Sequence, residues 1–169
     1  MNFLCKHPKS YTDSREHLAK LCADLIDKYV ATNAKVVDAG CGNRELERYC
    51  KNYIGVDLLE GHNIEESIPK GDVVCFIDVL EHVEDLAAVL NNVDADYVLI
   101  SMPMEHRLPD SDHKRRISMG TIERFTEWEL MNYWMWILQP KFWRLKTAFP
   151  FASPFAEELI SLWKVNCDD

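Results

Sequence analysis

The sequence predicts an α/β fold: a doubly wound sheet of about seven strands ending in a C-terminal antiparallel hairpin, in a single domain over residues 1–169. Three observations predict it. Residues 35–38, 53–57, 72–77 and 96–101 are short apolar runs without polar alternation, as expected of strands covered on both faces of a parallel sheet. Helical patterns alternate with these runs. Residues 142–148 and 159–165 also read as strands, and the stretch between them is too short for a crossover helix, so they are expected to pair antiparallel. A domain of roughly 100–200 residues buries enough surface to fold without disulfides or metal.

The elements follow in order. Over residues 11–30, Leu18, Leu21, Cys22, Leu25, Ile26 and Tyr29 recur at three- and four-residue spacing and make one apolar helix face, with Thr12, Asp13 and Ser14 as candidate caps. The strand at 35–38 runs into Asp38-Ala-Gly-Cys-Gly-Asn43, and a charged helix is expected over 44–51. After the strands at 53–57 and 72–77 comes a helix through Ala87, Val89 and Leu90, then the strand at 96–101. Residues 102–125 are polar, contain two prolines and read as a long loop. Thr126, with Glu129 three residues on, is the expected N-cap of a helix over 127–138 that stops before Pro140.

Composition narrows the function. Lys and Arg total 19 against 28 Asp and Glu, a net charge of −9, which argues against an open, nonspecific nucleic-acid surface. No run approaches the ~18 apolar residues of a membrane span, and residues 1–8 lack the features of a secretion signal. Six cysteines without a C-x-x-C pair read as free buried thiols in a reducing, cytoplasmic setting, and their spacing excludes a zinc ribbon.

The glycine turn carries the first chemistry. Gly40 and Gly42 follow a strand and let the backbone approach a ligand, and Asp57 ends the next strand nineteen residues after Asp38, where a carboxylate can accept both hydroxyls of a ribose. The third glycine of a dinucleotide fingerprint is missing, since Glu45 stands there, and no phosphate-binding Gly-Lys-Ser/Thr occurs. Asp38 would repel a pyrophosphate. A nicotinamide oxidoreductase is therefore disfavoured, and a nucleoside carrying a cationic group suits both carboxylates. S-adenosylmethionine is such a ligand.

On the segments 36–43, 53–57 and 72–83, extended by Arg124-Phe-Thr-Glu-Trp-Glu-Leu130, the chain resembles the class I S-adenosylmethionine-dependent methyltransferases, with their Rossmann-like sheet. That resemblance implies that Asp38, Gly40 and Gly42 lie at the methionine part, that Asp57 binds the ribose, that Leu58 packs on adenine, and that Asn63 and Ile64 touch the adenine amine and ring. Asn63 stands where the family usually has aspartate, and the stretch from Asp57 to Asp72 leaves no room for the family's usual helix.

Asp78, Glu81 and His82 stand at i, i+3 and i+4 and would share one face of a helical turn. The turn is similar to the Asp-x-x-Glu-His pattern of ubiquinone-pathway O-methyltransferases and of small-RNA 3′-terminal methyltransferases. That similarity implies a possible Mg²⁺ or Mn²⁺ site of Asp78, Glu81, His82 and His113. The alternative is a structural or substrate-positioning role, with His82 or His113 a candidate base. His113-Lys-Arg-Arg116 is either a contact for an anionic group on a substrate or a solvated loop. All five tryptophans fall in the last 42 residues, as core or as a homodimer face. The expectation is a methyltransferase acting on a small molecule, with an RNA terminus as a further acceptor class. The alternative is a cofactor-binding module without catalysis.

Overall fold

The computed structural model describes residues 2–6, 11–103, 114–115, 117–138 and 158–166. Among the described residues, seven strands and three α-helices follow one another as β1 (Asn2–Lys6), α1 (Tyr11–Tyr29), β2 (Lys35–Ala39), β3 (Asn52–Val56), β4 (Val73–Ile77), α2 (Leu86–Asn91), β5 (Tyr97–Pro103), α3 (Met119–Phe125), β6 (Glu129–Leu138) and β7 (Glu158–Lys164), with short 3-10 helices at Glu45–Arg48 and Leu58–Glu60. They form one sheet in the order β1-β6-β7-β5-β4-β2-β3. All pairs are parallel except those of β7, which runs antiparallel to β5 and to β6.

The central strands are buried on both faces, which is why they carry no polar alternation. Val37, Ala39, Val74, Phe76, Val98 and Ile100 face one core, which α2 and α3 complete through Leu86, Val89, Leu90 and Ile122. Val36, Val73, Cys75 and Leu99 face the other, against Leu18, Cys22, Leu25 and Ile26 of α1. The helix expected over residues 11–30 thus forms with the predicted face inward.

Three expectations are corrected. Residues 129–138 form a strand, not a helix. A stretch apolar on every side has no helical face to distinguish it, and its aromatic residues suit a strand held between two neighbours. Thr126 accordingly ends a helix instead of starting one: its N–H and its hydroxyl both donate to the Ile122 carbonyl. That helix, α3, lies within the expected loop and is capped by Ser118, whose side chain and that of Thr121 satisfy each other's backbone N–H groups. The charged helix over 44–51 is a single 3-10 turn, Glu45–Arg48.

The closing strand has the expected direction but different partners. It inserts between β5 and β6, with Ser101 opposite Ile160 and Tyr133 opposite Ser161. Residues 142–148, expected to pair with it, lie outside the described residues, as do His113 and the loop 149–157. β1, which the sequence reading did not anticipate, adds in parallel to the outer edge of β6.

Sheet order positions the site. From β2 the chain goes outward to β3, then returns to β4 on the other side of β2. Such a switch opens a crevice beyond the carboxyl ends of the two diverging strands, the usual ligand position in open α/β sheets. Asp38 at the end of β2 and Asp78 just after β4 flank it.

Trp163 of β7 is fully buried and its indole N–H donates to the Ser161 hydroxyl at 2.9 Å. Trp163→Ala is expected to cost about 3–5 kcal/mol, the usual effect of emptying an aromatic core site, read as a fall in the urea midpoint with the slope unchanged.

Candidate functional site

The site is built on three turns at the carboxyl rim of the sheet. In the first, Gly40 and Gly42 take positive φ of 83° and 48°, and Arg44 takes 59°. The turn is fastened to the neighbouring strand: the N–H groups of Gly40 and Cys41 both donate to the Val56 carbonyl, at 2.8 and 3.1 Å. The two glycines serve different ends. A Cβ on Gly40 would stand 2.6 Å from a methyl of Val79, so this glycine lets the first turn pack against the third. A Cβ on Gly42 would meet nothing within 4 Å, so this position borders open space.

The second turn follows β3. Asp57 caps the short 3-10 helix Leu58–Glu60 by accepting the Leu59 N–H at 2.8 Å, and its other oxygen accepts the Gly42 N–H at 3.0 Å. An ionised carboxylate has about four acceptor positions, so two remain for a ligand. Leu58 is 72% exposed and Leu59 93%. Two neighbouring leucines standing in solvent at a crevice wall offer an apolar surface to a flat ring. Asn63 folds onto its own turn, accepting from the Glu65 N–H and donating to Glu66, and Ile64 is buried in the core.

The third turn, 78–84, is not helical, so Asp78, Glu81 and His82 do not share a face. Asp78 takes a left-handed φ of 55°, which is unusual for a residue other than glycine. Its carboxylate makes an ion pair with Arg15 of α1, and its other oxygen lies 3.3 Å from the Ser101 hydroxyl. Ser101 donates to Glu158 of β7 at 2.9 Å. Glu81 is 2% exposed, with neither carboxyl oxygen hydrogen-bonded. His82 is half-exposed, with Nε2 3.8 Å from Glu81.

Among the described residues no three His, Cys, Asp or Glu side chains are grouped to hold a metal ion. Of the four residues expected around a metal, Glu81 and His82 approach each other, Asp78 is turned to Arg15, and His113 lies outside the described residues. The three of these that the structure describes, Asp78, Glu81 and His82, do not converge on a divalent metal. In the basic run, Lys114 pairs with Glu84 and Arg115 donates to the Glu84 carbonyl at 2.5 Å.

The rim is strongly acidic. Asp38 is 4% exposed, and burial raises its carboxyl to about 6, opposed chiefly by the Tyr53 hydroxyl, which donates to it at 2.9 Å. Burial raises Glu81 to about 7. Burial also pushes Glu158 well up, with the Asp78 charge adding to the effect. Arg15, Tyr53, Ser101 and Glu158 were not singled out from the sequence. Arg15 sits 63 residues from Asp78, and only the folded topology brings the pair together.

Comparison with known proteins follows the same lines. A family model described as a methyltransferase domain matches residues 14–144. The magnesium protoporphyrin IX methyltransferase of Synechocystis PCC 6803, with bound S-adenosylhomocysteine, superposes with a TM-score of 0.60 at 12% identity, covering 95% of this chain and 90% of that one. The 1,6-didemethyltoxoflavin-N1-methyltransferase of Burkholderia thailandensis, with bound 1,6-didemethyltoxoflavin and S-adenosylhomocysteine, gives 0.60 at 13% identity, covering 93% and 84%. The 16S rRNA methyltransferase RmtF in complex with S-adenosyl-L-homocysteine gives 0.55 at 15%, covering 90% of this chain and 65% of that one. At such identities the likeness establishes the fold. No curated protein gives a significant match.

Two predictions follow from the rim. Gly40→Ala is expected to lower the melting temperature more than Gly42→Ala, since both suffer a left-handed backbone but only the first meets Val79. Gly40→Ala with Val79→Ala should recover part of that difference. The second concerns pH. Between about 4.5 and 7 the folded chain holds a proton on Glu81 that the unfolded chain has released, so stability falls as pH rises through that window. Glu81→Gln is expected to flatten the fall and to gain about 1–3 kcal/mol at pH 8 in urea denaturation, relative to wild type. An unchanged pH profile would refute this.

Proposed function

The chain belongs to the methyltransferase-domain family, and from that premise we propose that it binds S-adenosylmethionine at the rim between β2, β3 and β4 and transfers its methyl group to a small-molecule acceptor. The observation that carries the reading is the Asp57 clasp. One carboxylate joins the Gly42 turn to the Leu58 turn and keeps acceptor positions for a ribose, beside open space at Gly42.

The residues fit that cofactor in charge and shape. Asp38 and its acidic neighbours would face the cationic methionine end, Gly42 would leave room for it, and the exposed face of Leu58 would take the adenine. Asn63 and Ile64 have a smaller part in this reading, because Asn63 bonds within its own turn and Ile64 belongs to the core. When bound, the cofactor supplies an electrophilic methyl group on a sulfonium. The chain's own work is then to hold an acceptor in line with it and exclude water, which alone supplies much of the rate for an acceptor that is already nucleophilic. The rim around Asp78, Glu81 and His82 would hold the acceptor, with His82 or His113 as the candidate base. The reading includes no metal, because the described side chains do not converge on one.

The small-molecule class follows from charge. A net charge of −9 disfavours an open, nonspecific surface for an RNA backbone. No described helix is long and apolar enough to cross a membrane.

Isothermal titration with S-adenosylhomocysteine is expected to show one site, with NAD not binding. Asp57→Ala should weaken binding by about 10- to 100-fold, the usual effect of losing a hydrogen bond to a charged acceptor. Equal affinity in wild type and variant would refute the ribose assignment. Binding without release of S-adenosylhomocysteine from any of a broad panel of metabolites would indicate a binding module.

A further inference from the structure

We propose that the Tyr53 hydroxyl is a positioning group for the cationic methionine end of the cofactor, because it holds the buried Asp38 carboxylate aimed and available at the glycine turn. The inference rests on the cofactor reading above and adds a residue to it.

The argument begins with register. β2 and β3 are parallel, with Val36 opposite Tyr53 and Asp38 opposite Gly55. Tyr53 and Gly55 therefore point to the same face of β3, two residues apart. The Tyr53 side chain lies forward over Gly55 and across to the neighbouring strand, where its hydroxyl donates to Asp38 Oδ2 at 2.9 Å. Only a glycine at 55 permits this: a Cβ there would stand 2.6 Å from the Tyr53 oxygen and 2.9 Å from Cys41 Sγ. Tyr53, Gly55 and Asp38 thus act as one unit.

Asp38 depends on that donor. It is 4% exposed, and a buried carboxylate without hydrogen bonds gives up its charge. Its charged surroundings are mixed. Arg15 from α1 and Arg44 from the glycine turn favour the ionised form, Glu45 opposes it, and the thiols of Cys22, Cys41 and Cys75 contribute no positive charge. Burial already lifts Asp38 to about 6, and Tyr53 is the largest influence working against burial. Without the hydroxyl, Asp38 protonates closer to neutral pH and no longer offers a negative charge to an ammonium group. Tyr53 itself stays protonated, since burial and the Asp38 charge push its hydroxyl far up.

The test is calorimetric titration of S-adenosylhomocysteine, which keeps the ammonium group, into wild type, Tyr53→Phe and Asp38→Asn from about pH 5.5 to 8.5. Wild type is expected to bind with constant affinity above neutral pH and more weakly below about 6. Tyr53→Phe should bind about 10-fold more weakly at pH 7 and recover toward the wild-type value at pH 8.5, with its midpoint moved upward. Asp38→Asn should bind weakly at every pH and lose the profile. A second readout needs no ligand: the carbon-13 shift of the Asp38 carboxyl should titrate at higher pH in Tyr53→Phe than in wild type. A Tyr53→Phe profile parallel to wild type, or an unshifted Asp38 titration, would show that the ring is only packing and overturn the proposal. If wild type does not bind S-adenosylhomocysteine, the cofactor reading fails, and the Asp38 titration still decides whether Tyr53 governs that carboxylate.

Discussion

Two strand-end turns are held to each other by one carboxylate. Asp57 accepts from the Gly42 N–H with one oxygen and from the Leu59 N–H with the other. The glycine turn has left-handed backbone at three positions and little regular hydrogen bonding of its own, so its shape is imposed from outside. Val56 holds its start through two carbonyl bonds and Asp57 holds its end. Beneath it, Val79 packs where Gly40 has no side chain, which ties the turn after β4 to the same unit. The turns beyond β2, β3 and β4 are thus fastened to one another by backbone hydrogen bonds, one carboxylate and close packing.

Legibility in the sequence follows from how local each signal is. The strands 35–39, 73–77 and 97–103 declare themselves because burial on both faces forces continuous apolar runs, and the edge strand 52–56, only partly buried, still carries a short apolar run. The glycine turn and Asp57 declare themselves because a turn needs glycine where φ is positive, and the interval between two strand ends is fixed by what connects them. β6 was unreadable for the opposite reason. Its run is apolar on every side, so neither period marks it, and its state is decided by β7 and β1, which approach from distant parts of the chain. Ser118 was missed because its partner Thr121 does not match the usual Glu or Gln of a capping box. Arg15, Tyr53 and Glu158 were missed because each gains its role from a neighbour fifteen to sixty-three residues away. Only the spacing of Tyr53 before Gly55, on one strand face, left a trace in the sequence.

The acidic rim is not a source of stability. Asp38, Glu81 and Glu158 are all buried, and burial is the largest cause raising each of them. Arg15 pairs with Asp78, and Arg15 and Arg44 only partly offset the burial of Asp38. Taking carboxyls out of water without partners costs stability. The fold tolerates that cost because the carboxyls are spread over β2, the turn after β4 and β7, each anchored by apolar neighbours such as Val37, Leu80 and Ile160.

What such a rim offers is response to positive charge. Each raised carboxyl is partly or wholly protonated near neutral pH, and an arriving cation favours its ionised form. Cation binding and proton release at Asp38 and Glu81 are then one equilibrium, because a ligand that lowers a carboxyl's pKa must displace its proton. This coupling separates the two aspartates at the glycine turn. Asp57 draws its hydrogen bonds from backbone N–H groups whose geometry the fold sets. Asp38 draws its bond from a side-chain hydroxyl in a buried site, so its charge changes with pH and with whatever holds that hydroxyl in place. One carboxylate fixes the shape of two turns and the other carries a charge that changes with pH, and the strand order that sets β2 between β3 and β4 puts both at the same end of the sheet.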